Sequence, residues 1–338
     1  MSNETIQIQA SIPEKIINFY KKLNIPFMLF GVIILMVFFG FTTDWLNFSA
    51  RNLQLIIRNS SILLIASIGM TMMMLVSQVD LSIGSVMAMS ASITAVAMVS
   101  GMHVVPALLL GILSGIVTGL VNAFLVVICK FDYWIVTFAT MGVAMGLALV
   151  ITDANVIPIR SPVFFWLGSG RSLGVYNMVW ITIFLVIFMD FVLRRTKFGH
   201  DIYSIGGSEV TARLSGVNVV KNRIIVYVCS GFFSSIAGLF IAATQEAVFP
   251  AANNYSFDAI AAVIIGGTSF DGGRGGIYGT VLGAVTLRVL ANGLALMGIA
   301  ATWQRTIIGI VIVMVLVMDA INQKYRKTHE LRRVYTDD

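Results

Sequence analysis

The chain has 338 residues, of which 58% are hydrophobic and only 11% charged, and its mean hydropathy is +0.91. These values lie far outside the range of a soluble globular domain and indicate an integral membrane protein. The formal net charge of +6 could suggest a nucleic-acid partner. The basic residues stand at the ends of apolar runs rather than in one patch, so we expect the chain to meet a lipid bilayer and no nucleic acid.

Ten apolar segments follow one another along the chain, and most have the length of about 20 residues that crosses about 30 Å of hydrocarbon. The segment 256–268 is too short to cross alone, so we interpret it as a partial or re-entrant helix whose ends protein must bury. The sequence predicts an all-α integral membrane protein with about ten transmembrane helices in a single domain, residues 26–322. The predicted spans are 26–43, 59–76, 84–100, 104–129, 134–152, 176–193, 223–244, 256–268, 276–297 and 303–322.

The distribution of Lys and Arg predicts the orientation of these helices. With the N-terminus inside, most of the 22 Lys and Arg residues lie on the cytoplasmic side, as the positive-inside rule requires. An even number of spans then places both the N-terminal segment 1–25 and the tail 323–338 in the cytoplasm. The exceptions are Arg51, Arg58, Arg160 and Arg171, which fall outside, and Arg288 and Arg305, which fall within spans.

The longest polar stretch away from the termini lies in the loop 194–222, between spans six and seven. Ser208 can cap a short helix there by accepting a backbone N–H with its hydroxyl. Glu209 and Arg213 can pair one turn apart and suit the helix dipole. Gly216 can take the left-handed conformation that ends a helix. The stretch Ser208–Gly216 is therefore predicted to be a helix of about two turns.

A helix this short is not stable by itself and needs a surface to pack against. Val210 and Leu214 share one face of the helix, so we expect that a second protein supplies that surface. The positive-inside rule places the loop 194–222 on the cytoplasmic side. The predicted partner is therefore a cytosolic protein.

Glycines recur in the run Gly266–Gly283, which superficially resembles a phosphate-binding loop. No Gly-Lys dipeptide occurs in the chain, so a Walker A sequence is absent. Glycine at every fourth position instead lets two helices approach closely in lipid. If the run has a functional part, it is the tight cytoplasmic turn Asp271–Arg274. The glycines with this spacing are Gly111, Gly115 and Gly119, and Gly275, Gly279 and Gly283.

No arrangement of residues in the sequence points to catalysis or to a metal site. His103, His200 and His329 are dispersed, which argues against a zinc motif of the HExxH type. Cys129 and Cys229 both sit in or next to predicted spans, which argues against a disulfide framework. We therefore expect that the chain is not an enzyme and that it binds no metal and no cofactor.

Four stretches of the chain carry a resemblance to a known family. They are SQVDLSIGS (Ser77–Ser85), KFDYWIVTFATM (Lys130–Met141), FGHDIYSIGGSEVTARLSGV (Phe198–Val217) and YSFDAIAAVIIGGTSFDGGRGGIYGT (Tyr255–Thr280). Together they resemble the permease subunits of bacterial ATP-binding-cassette (ABC) sugar importers of the ribose type, a subfamily that also includes galactoside, xylose, arabinose and autoinducer-2 permeases. The similarity runs from about residue 25 to 322 in the family's order and spacing.

The resemblance implies a ten-helix permease of the bacterial inner membrane that dimerises, with itself or with a paralogue, around a pathway for a monosaccharide. Two copies of a separate ATPase subunit would bind the cytoplasmic face and hydrolyse ATP, and a periplasmic binding protein would deliver the sugar. In this family the loop containing GGSEVTARLSG supplies the coupling helix that docks on the ATPase. The coupling residues implied here are Ser208, Glu209, Ala212, Arg213, Leu214 and Gly216.

Five polar residues inside or beside the spans are candidates for the pathway. Asp80 stands in a cytoplasmic turn as Asp-Leu-Ser, where capping of the next helix is the alternative role. Asn122 and Asn292 are intramembrane amides that either hold helices together or line the pathway. Arg288 lies about halfway along its span, too deep to face lipid without reason. We predict that it points into the bundle or the pathway, with Asp258 as its first partner and Asn292 as its second, in either a structural ion pair or a transport role.

Other classes of protein remain as alternatives. Branched-chain amino-acid ABC permeases share the implied fold and differ chiefly in the motifs quoted above. A proton- or sodium-driven secondary transporter would use intramembrane carboxylates paired with polar groups on facing helices. Only Asp258, and Asp190 near a span end, could serve in that way. The sequence therefore favours the ABC permease and does not name the sugar.

Overall fold

A computed structural model of the chain describes residues 27–250, 255–311, 313–314 and 317. Within this part the chain is a bundle of helices, with four two-residue strands in the connections. The predicted N-terminal segment 1–25 and the tail 323–338 lie outside the described residues. Much of the last predicted span, 303–322, lies outside them as well.

The described residues of the first half of the chain form five α-helices. The second of them begins earlier than the predicted span 59–76, because Ser49 caps it by accepting the backbone N–H of Asn52 and polar residues continue the helix beyond the apolar run. The helices are α1 Phe27–Thr42, α2 Ala50–Leu75, α3 Ile83–Val99, α4 Val104–Ala123, which continues as a π-helical stretch Phe124–Ile128, and α5 Tyr133–Ile151.

Among the described residues, the second half of the chain contains eight helices and the strands. Two antiparallel pairs join β1 to β4 and β2 to β3. The sequence analysis predicted neither these strands nor α6 and α8, because such short elements carry no clear periodicity. The elements are β1 Ile157–Pro158, α6 Pro162–Gly168, β2 Arg171–Ser172, β3 Val175–Tyr176, α7 Asn177–Arg195, α8 Lys197–Gly207, α9 Glu209–Leu214, α10 Val219–Gln245, β4 Ala247–Val248, α11 Tyr255–Ile265, α12 Ile277–Leu296 and α13 301–311.

Six helices of the described residues are long and apolar enough to cross a membrane: α2, α4 with its π-helical extension, α5, α7, α10 and α12. Three shorter apolar helices, α1, α3 and α11, add to them. All nine coincide with predicted spans, and the chain is a multi-pass membrane protein. The full count of ten spans remains a prediction, because the last one runs beyond the described residues.

The bundle has two distinct ends. Helices α8 and α9 lie where α7 ends and α10 begins, and we call this the α9 end. The opposite end, where α10 ends beside α6 and β4 pairs with β1, is the α6 end. Helix α2 runs between the two ends: Arg58 in its first half contacts Thr244, whereas the carbonyl of Leu75 at its C-terminus accepts the N–H of Gly273 beside α8.

Helices α2 and α10 form the centre of the bundle, and glycines bring α4 against α10. A Cβ on Gly115 would overlap the carbonyl of Gly231, and a Cβ on Gly119 would overlap that of Tyr227. The predicted role of Gly111, Gly115 and Gly119 in close helix packing is confirmed. Gly279 and Gly283 likewise face the backbone of α11, whereas Gly275 lies in the preceding turn with φ +123° and takes no part in the helix contact.

Helix α11 is the partial helix predicted at 256–268. Its 11 residues extend about 16 Å, roughly half of the hydrocarbon thickness. Near its start, Ser256 is buried and contacts Leu81 and Gly84 at the beginning of α3, whereas Phe257 is exposed. The start of the partial helix is thus attached to the bundle on the side of Ser256.

Candidate functional site

The short helix α9 forms as its sequence predicts. The hydroxyl of Ser208 accepts the backbone N–H of Thr211 at 3.3 Å, which satisfies one of the free donors at the helix start. Glu209 and Arg213 form the predicted ion pair at 2.6 Å. Gly216 has φ +80°, a conformation in which only glycine avoids steric cost, so the helix ends there.

Helix α9 packs in part against its own bundle, whereas the sequence analysis expected a second protein to supply its packing surface. Ala212 is buried at only 2% exposure. Glu209 also accepts a hydrogen bond of 2.7 Å from Arg223 of α10. The hydrogen bond from Arg213 lowers the pKa of Glu209 below its ordinary value of 4.5, and the charge of Arg223 adds to this effect. The helix is therefore anchored along one side by its own bundle.

The other side of α9 presents two bare apolar residues. Leu214 is 85% exposed and Val210 is 69% exposed, and they lie one turn apart on the helix. The surface patch formed by Val210 and Leu214, here called the α9 edge, lies beside polar and charged groups. An anchored helix that offers an exposed apolar edge is suited to contact with another protein.

The turn predicted at Asp271–Arg274 packs directly behind α8 and α9. Its glycines Gly272 and Gly273 have φ +87° and +68°. A Cβ on Gly206, two residues before the cap of α9, would overlap both the carbonyl of Leu75 and the N–H of Gly273. Three chain segments therefore meet at this point of the α9 end with no room for side chains.

Asp80 lies in the turn segment between α2 and α3, and its side chain is buried within the bundle. Its carboxylate accepts the backbone N–H of Ser82 at 2.9 Å and the hydroxyl of Ser230 on α10 at 2.7 Å. The residue is only 2% exposed. Ser82, rather than Asp80, occupies the N-cap position of α3. The aspartate thus joins the start of α3 to α10 instead of acting as a simple helix cap.

Asn122 of α4 extends this polar contact to a further helix. It donates to the hydroxyl of Ser82 at 3.2 Å and accepts from Thr140 of α5 at 2.7 Å. Asn122 is 1% exposed. Of the two roles considered for it, the contacts support a tie between helices. Together the side chains of Asp80, Ser82, Asn122, Thr140 and Ser230 form one hydrogen-bonded set, here called the central network.

Arg288 of α12 points at Asp258 of α11, as predicted, with a distance of 3.0 Å between the guanidinium and the carboxylate. The guanidinium also lies 5.3 Å from the ring centre of Tyr255, a cation–π distance. The side chains keep 19% and 29% exposure. The ion pair is therefore only partly buried, and part of it is exposed beside α11.

Asn292 does not serve as the second partner of Arg288, contrary to the prediction. Its amide pairs reciprocally with the amide of Asn52 on α2, with both hydrogen bonds at 2.8 Å. The pairing satisfies two amides that would otherwise be costly in an apolar setting. Asn292 therefore holds α12 against α2.

At the α6 end, a cluster of arginines surrounds Tyr176 that the sequence analysis did not identify. Arg58 and Arg171 lie 4.9 and 4.6 Å from its ring centre, on separate elements. Arg171 also donates to the hydroxyl at 3.0 Å, and this bond lowers the pKa of Tyr176. Arg58 reaches Thr244 at 2.8 Å. Arg171 lies close to Tyr176 along the chain, but no sequence signal links the distant Arg58 to this tyrosine.

The predicted residues thus fall into three groups at different levels of the bundle. The α9 edge and its anchors lie at one end, the central network lies inside, and the Arg288–Asp258 pair joins two helices. Asn292 lies apart from all three groups. Among the residues that the structure describes, no three His, Cys, Asp or Glu side chains are grouped as a metal site.

Comparison with known proteins places this geometry in a family. The family described as "Branched-chain amino acid transport system / permease component" matches residues 52–316. The ribose import permease protein RbsC of Escherichia coli K12 is 37% identical over 80% of this chain and 86% of its own length. RbsC of Bacillus subtilis is 36% identical over 79% and 84%. The L-arabinose transport system permease protein AraH of E. coli K12 is 33% identical over 74% and 76%.

A solved structure resembles the fold. It is an ABC transporter of the metal-chelate type in an inward-facing conformation, with a TM-score of 0.50, and the alignment covers 86% of this chain and 98% of that one. Since only 17% of the residues are identical, this likeness concerns the fold alone. The match over most of the chain and the three relatives above 30% identity decide the family. The chain belongs to the branched-chain amino acid transport system / permease component family.

Proposed function

We propose that this chain is the membrane-spanning permease subunit of an ABC importer for a monosaccharide. The observation that carries the proposal is the α9 edge: a capped, anchored two-turn helix with Leu214 and Val210 left bare. A permease needs such a surface to receive force from a separate ATPase. The names of three relatives from two bacteria, two ribose permeases and one arabinose permease, support a sugar as the substrate.

The proposed assembly has the α9 end in the cytoplasm. Ser208, Glu209, Ala212, Arg213, Leu214 and Gly216 would form the coupling helix that docks on an ABC ATPase, and that partner, rather than this chain, would bind and hydrolyse ATP. Ten spans would place both termini on the cytoplasmic side of the bacterial inner membrane. This agrees with the many basic residues near the α9 end. The domain limits 26–322, with the coupling loop 194–222, follow from the same topology.

The remaining partners are proposed for the other surfaces. A periplasmic sugar-binding protein would dock at the α6 end. A second permease copy, identical or paralogous, would complete the pathway across the bilayer. Asp258 and Arg288 are the candidates to line this pathway, because both keep partial exposure. Asp80, Asn122 and Asn292 are fully engaged within the bundle, so we assign them to holding the helices beside the pathway.

A branched-chain amino acid is the second candidate substrate, because the matching family carries that description. The test is reconstitution of this chain in proteoliposomes with the ATPase and binding protein found in its gene neighbourhood. Pentoses, hexoses and leucine are then offered singly, and substrate-stimulated ATP hydrolysis and uptake are measured. We expect one sugar to stimulate both. Stimulation by leucine alone would support the second candidate, and uptake driven by an ion gradient without ATP would contradict both.

A further inference from the structure

Residues 76–82 form a non-helical segment between α2 and α3, here called the α2–α3 segment. Its start is fastened to the α9 end. The hydroxyl of Ser77 donates to the carbonyl of Asp271 at 2.6 Å, and Ser77 itself holds the left-handed φ of +59°. A serine in this conformation carries backbone strain that only its surroundings can maintain. The surrounding contacts therefore fix the position of this residue.

The same place touches the segment that leads into α9. A Cβ on Gly272 would overlap the hydroxyl of Ser77, and one on Gly273 would press on the backbone of Gly207. Gly207 is followed directly by Ser208, the cap of α9. A displacement of α9 toward or away from the bundle would therefore reach Ser77 through the close backbone packing of Gly207, Gly273 and Gly272 and through the Ser77 hydroxyl.

The other end of the α2–α3 segment reaches the interior of the bundle. Asp80 is bonded to Ser230 at 2.7 Å. Ser230 stands 11 residues after Val219, the start of α10, which corresponds to about 16 Å along the helix axis. The backbone carbonyl of Leu81 accepts a hydrogen bond of 2.7 Å from the hydroxyl of Ser256. The same hydroxyl accepts a hydrogen bond of 2.9 Å from the backbone N–H of Gly84. The segment therefore holds the first turn of the partial helix α11.

Asp258, which bonds Arg288, is two residues after Ser256 on α11. The α2–α3 segment thus connects the base of α9, the central network and α11, the helix that carries Asp258 of the partly exposed ion pair. A short segment whose two ends are both bonded is expected to move as a unit, because seven residues have little freedom to absorb a shift.

We propose that the α2–α3 segment is the link that couples movement of α9 to the interior of the pathway, with Asp80 as its inner positioning residue and Ser77 as its outer one. The inference rests on the proposed function, since it requires that α9 receive movement from an ATPase. It assigns Asp80 a role in coupling hydrolysis to transport, and not in contact with the sugar.

The test uses the complete reconstituted importer, and its readout is the ratio of ATP hydrolysis with and without sugar-loaded binding protein. Asp80→Asn keeps the shape of the side chain and can still accept from Ser82, while Ser230 can turn to accept from the new amide. We expect this variant to fold and to retain its ATPase partner on purification. The stimulation ratio should fall by about fivefold or more, and Ser77→Ala should lower it in the same direction.

Thr71→Val is the matched control. Thr71 lies one turn before the segment on α2 and makes a buried contact of 2.7 Å with Thr280 of α12, but it does not contact the α2–α3 segment in any described hydrogen bond. We expect its ratio to equal that of the unchanged protein. An equal fall in Thr71→Val and Asp80→Asn would show general loosening of the bundle and would overturn the proposed link.

Combining Ser77→Ala with Asp80→Asn separates one link from two independent effects. If both residues act through the same segment, the double variant should fall no further than the worse single variant. Losses that multiply would overturn the link. If the unchanged protein imports sugar and Asp80→Asn keeps the full stimulation ratio, the proposed link is overturned but the proposed function is not. An unchanged protein without sugar-stimulated hydrolysis would overturn the proposed function, and the link with it.

Discussion

Arg288 donates to Asp258 across the contact of α12 with α11, at 3.0 Å, and the ring of Tyr255 lies against the same guanidinium. Arg288→Ala should destabilise the solubilised protein by about 1–3 kcal/mol, because it leaves the carboxylate without its charged partner. The double variant Arg288→Ala with Asp258→Asn should recover much of this loss. Thermal unfolding of the unchanged protein, the two single variants and the double variant gives the coupling energy between the two positions.

The pair Arg194–Asp190 supplies the control for this cycle. It has the same residue types at 2.8 Å, but Arg194 is 56% exposed, so its coupling should be about 0.3–0.5 kcal/mol. Losses that add without interaction at Arg288 and Asp258 would rule out the pair as a stabilising contact. A stable double variant that no longer transports would instead place the pair in the pathway.

Leu214→Asp should release the ATPase from the permease. Charge on the α9 edge must be desolvated when the partner binds, which costs about 2 kcal/mol or more and corresponds to roughly thirtyfold weaker binding. Co-purification of the ATPase measures the effect. Leu173→Asp is the control, since Leu173 is 92% exposed at the α6 end. Equal retention of the ATPase by both variants would disprove docking at α9.

Glu209→Gln should make the attachment of α9 independent of pH. The pKa of Glu209 is lowered by its arginine partners, so its stabilising contribution is complete above the ordinary value of 4.5 and is lost as pH falls through the lower folded value. Hydrogen-exchange protection of α9 should be constant from about pH 8 to 5 and fall below about pH 4.5. The Gln variant should show the low protection throughout. A parallel fall in both proteins would assign the effect to another group.

Gly115→Ala should destabilise the bundle, because the new methyl group overlaps the carbonyl of Gly231 and forces α4 and α10 apart at about 1–3 kcal/mol. Gly146→Ala on α5 is the control, since a Cβ there has no atom within 4 Å. It should leave the unfolding temperature unchanged or raise it, because alanine favours the helix. Equal stability of the two variants would contradict close packing at Gly115.

The proposed orientation is tested by single cysteines in a background without Cys129 and Cys229. Ser208→Cys should react with an impermeant thiol reagent only when the cytoplasmic face is open. Leu173→Cys, at the opposite end, should react in intact spheroplasts. Both positions are exposed, so the membrane alone decides access. Reaction of Ser208→Cys from outside would reverse the topology and remove the basis for docking at α9.

Local patterns predicted much of this molecule. Span positions follow from long apolar runs, because any segment in lipid must be apolar and satisfy its own backbone. The cap at Ser208, the pair Glu209–Arg213 and the stop at Gly216 depend only on neighbours within two turns, and all three are present. The Arg288–Asp258 pair was predictable because few charges inside the bundle can serve each other.

The sequence by itself determined the membrane class, the positions of most helices and the short helix at α9, since these depend on composition and on contacts close along the chain. Only the tertiary structure decided that Asp80 meets Ser230, that Asn292 meets Asn52, and that Ser77 lies against Asp271. These partners stand 150, 240 and 194 residues apart. A polar residue inside a membrane needs a polar partner. Several candidate partners are chemically equivalent, and only the packing of distant helices selects among them.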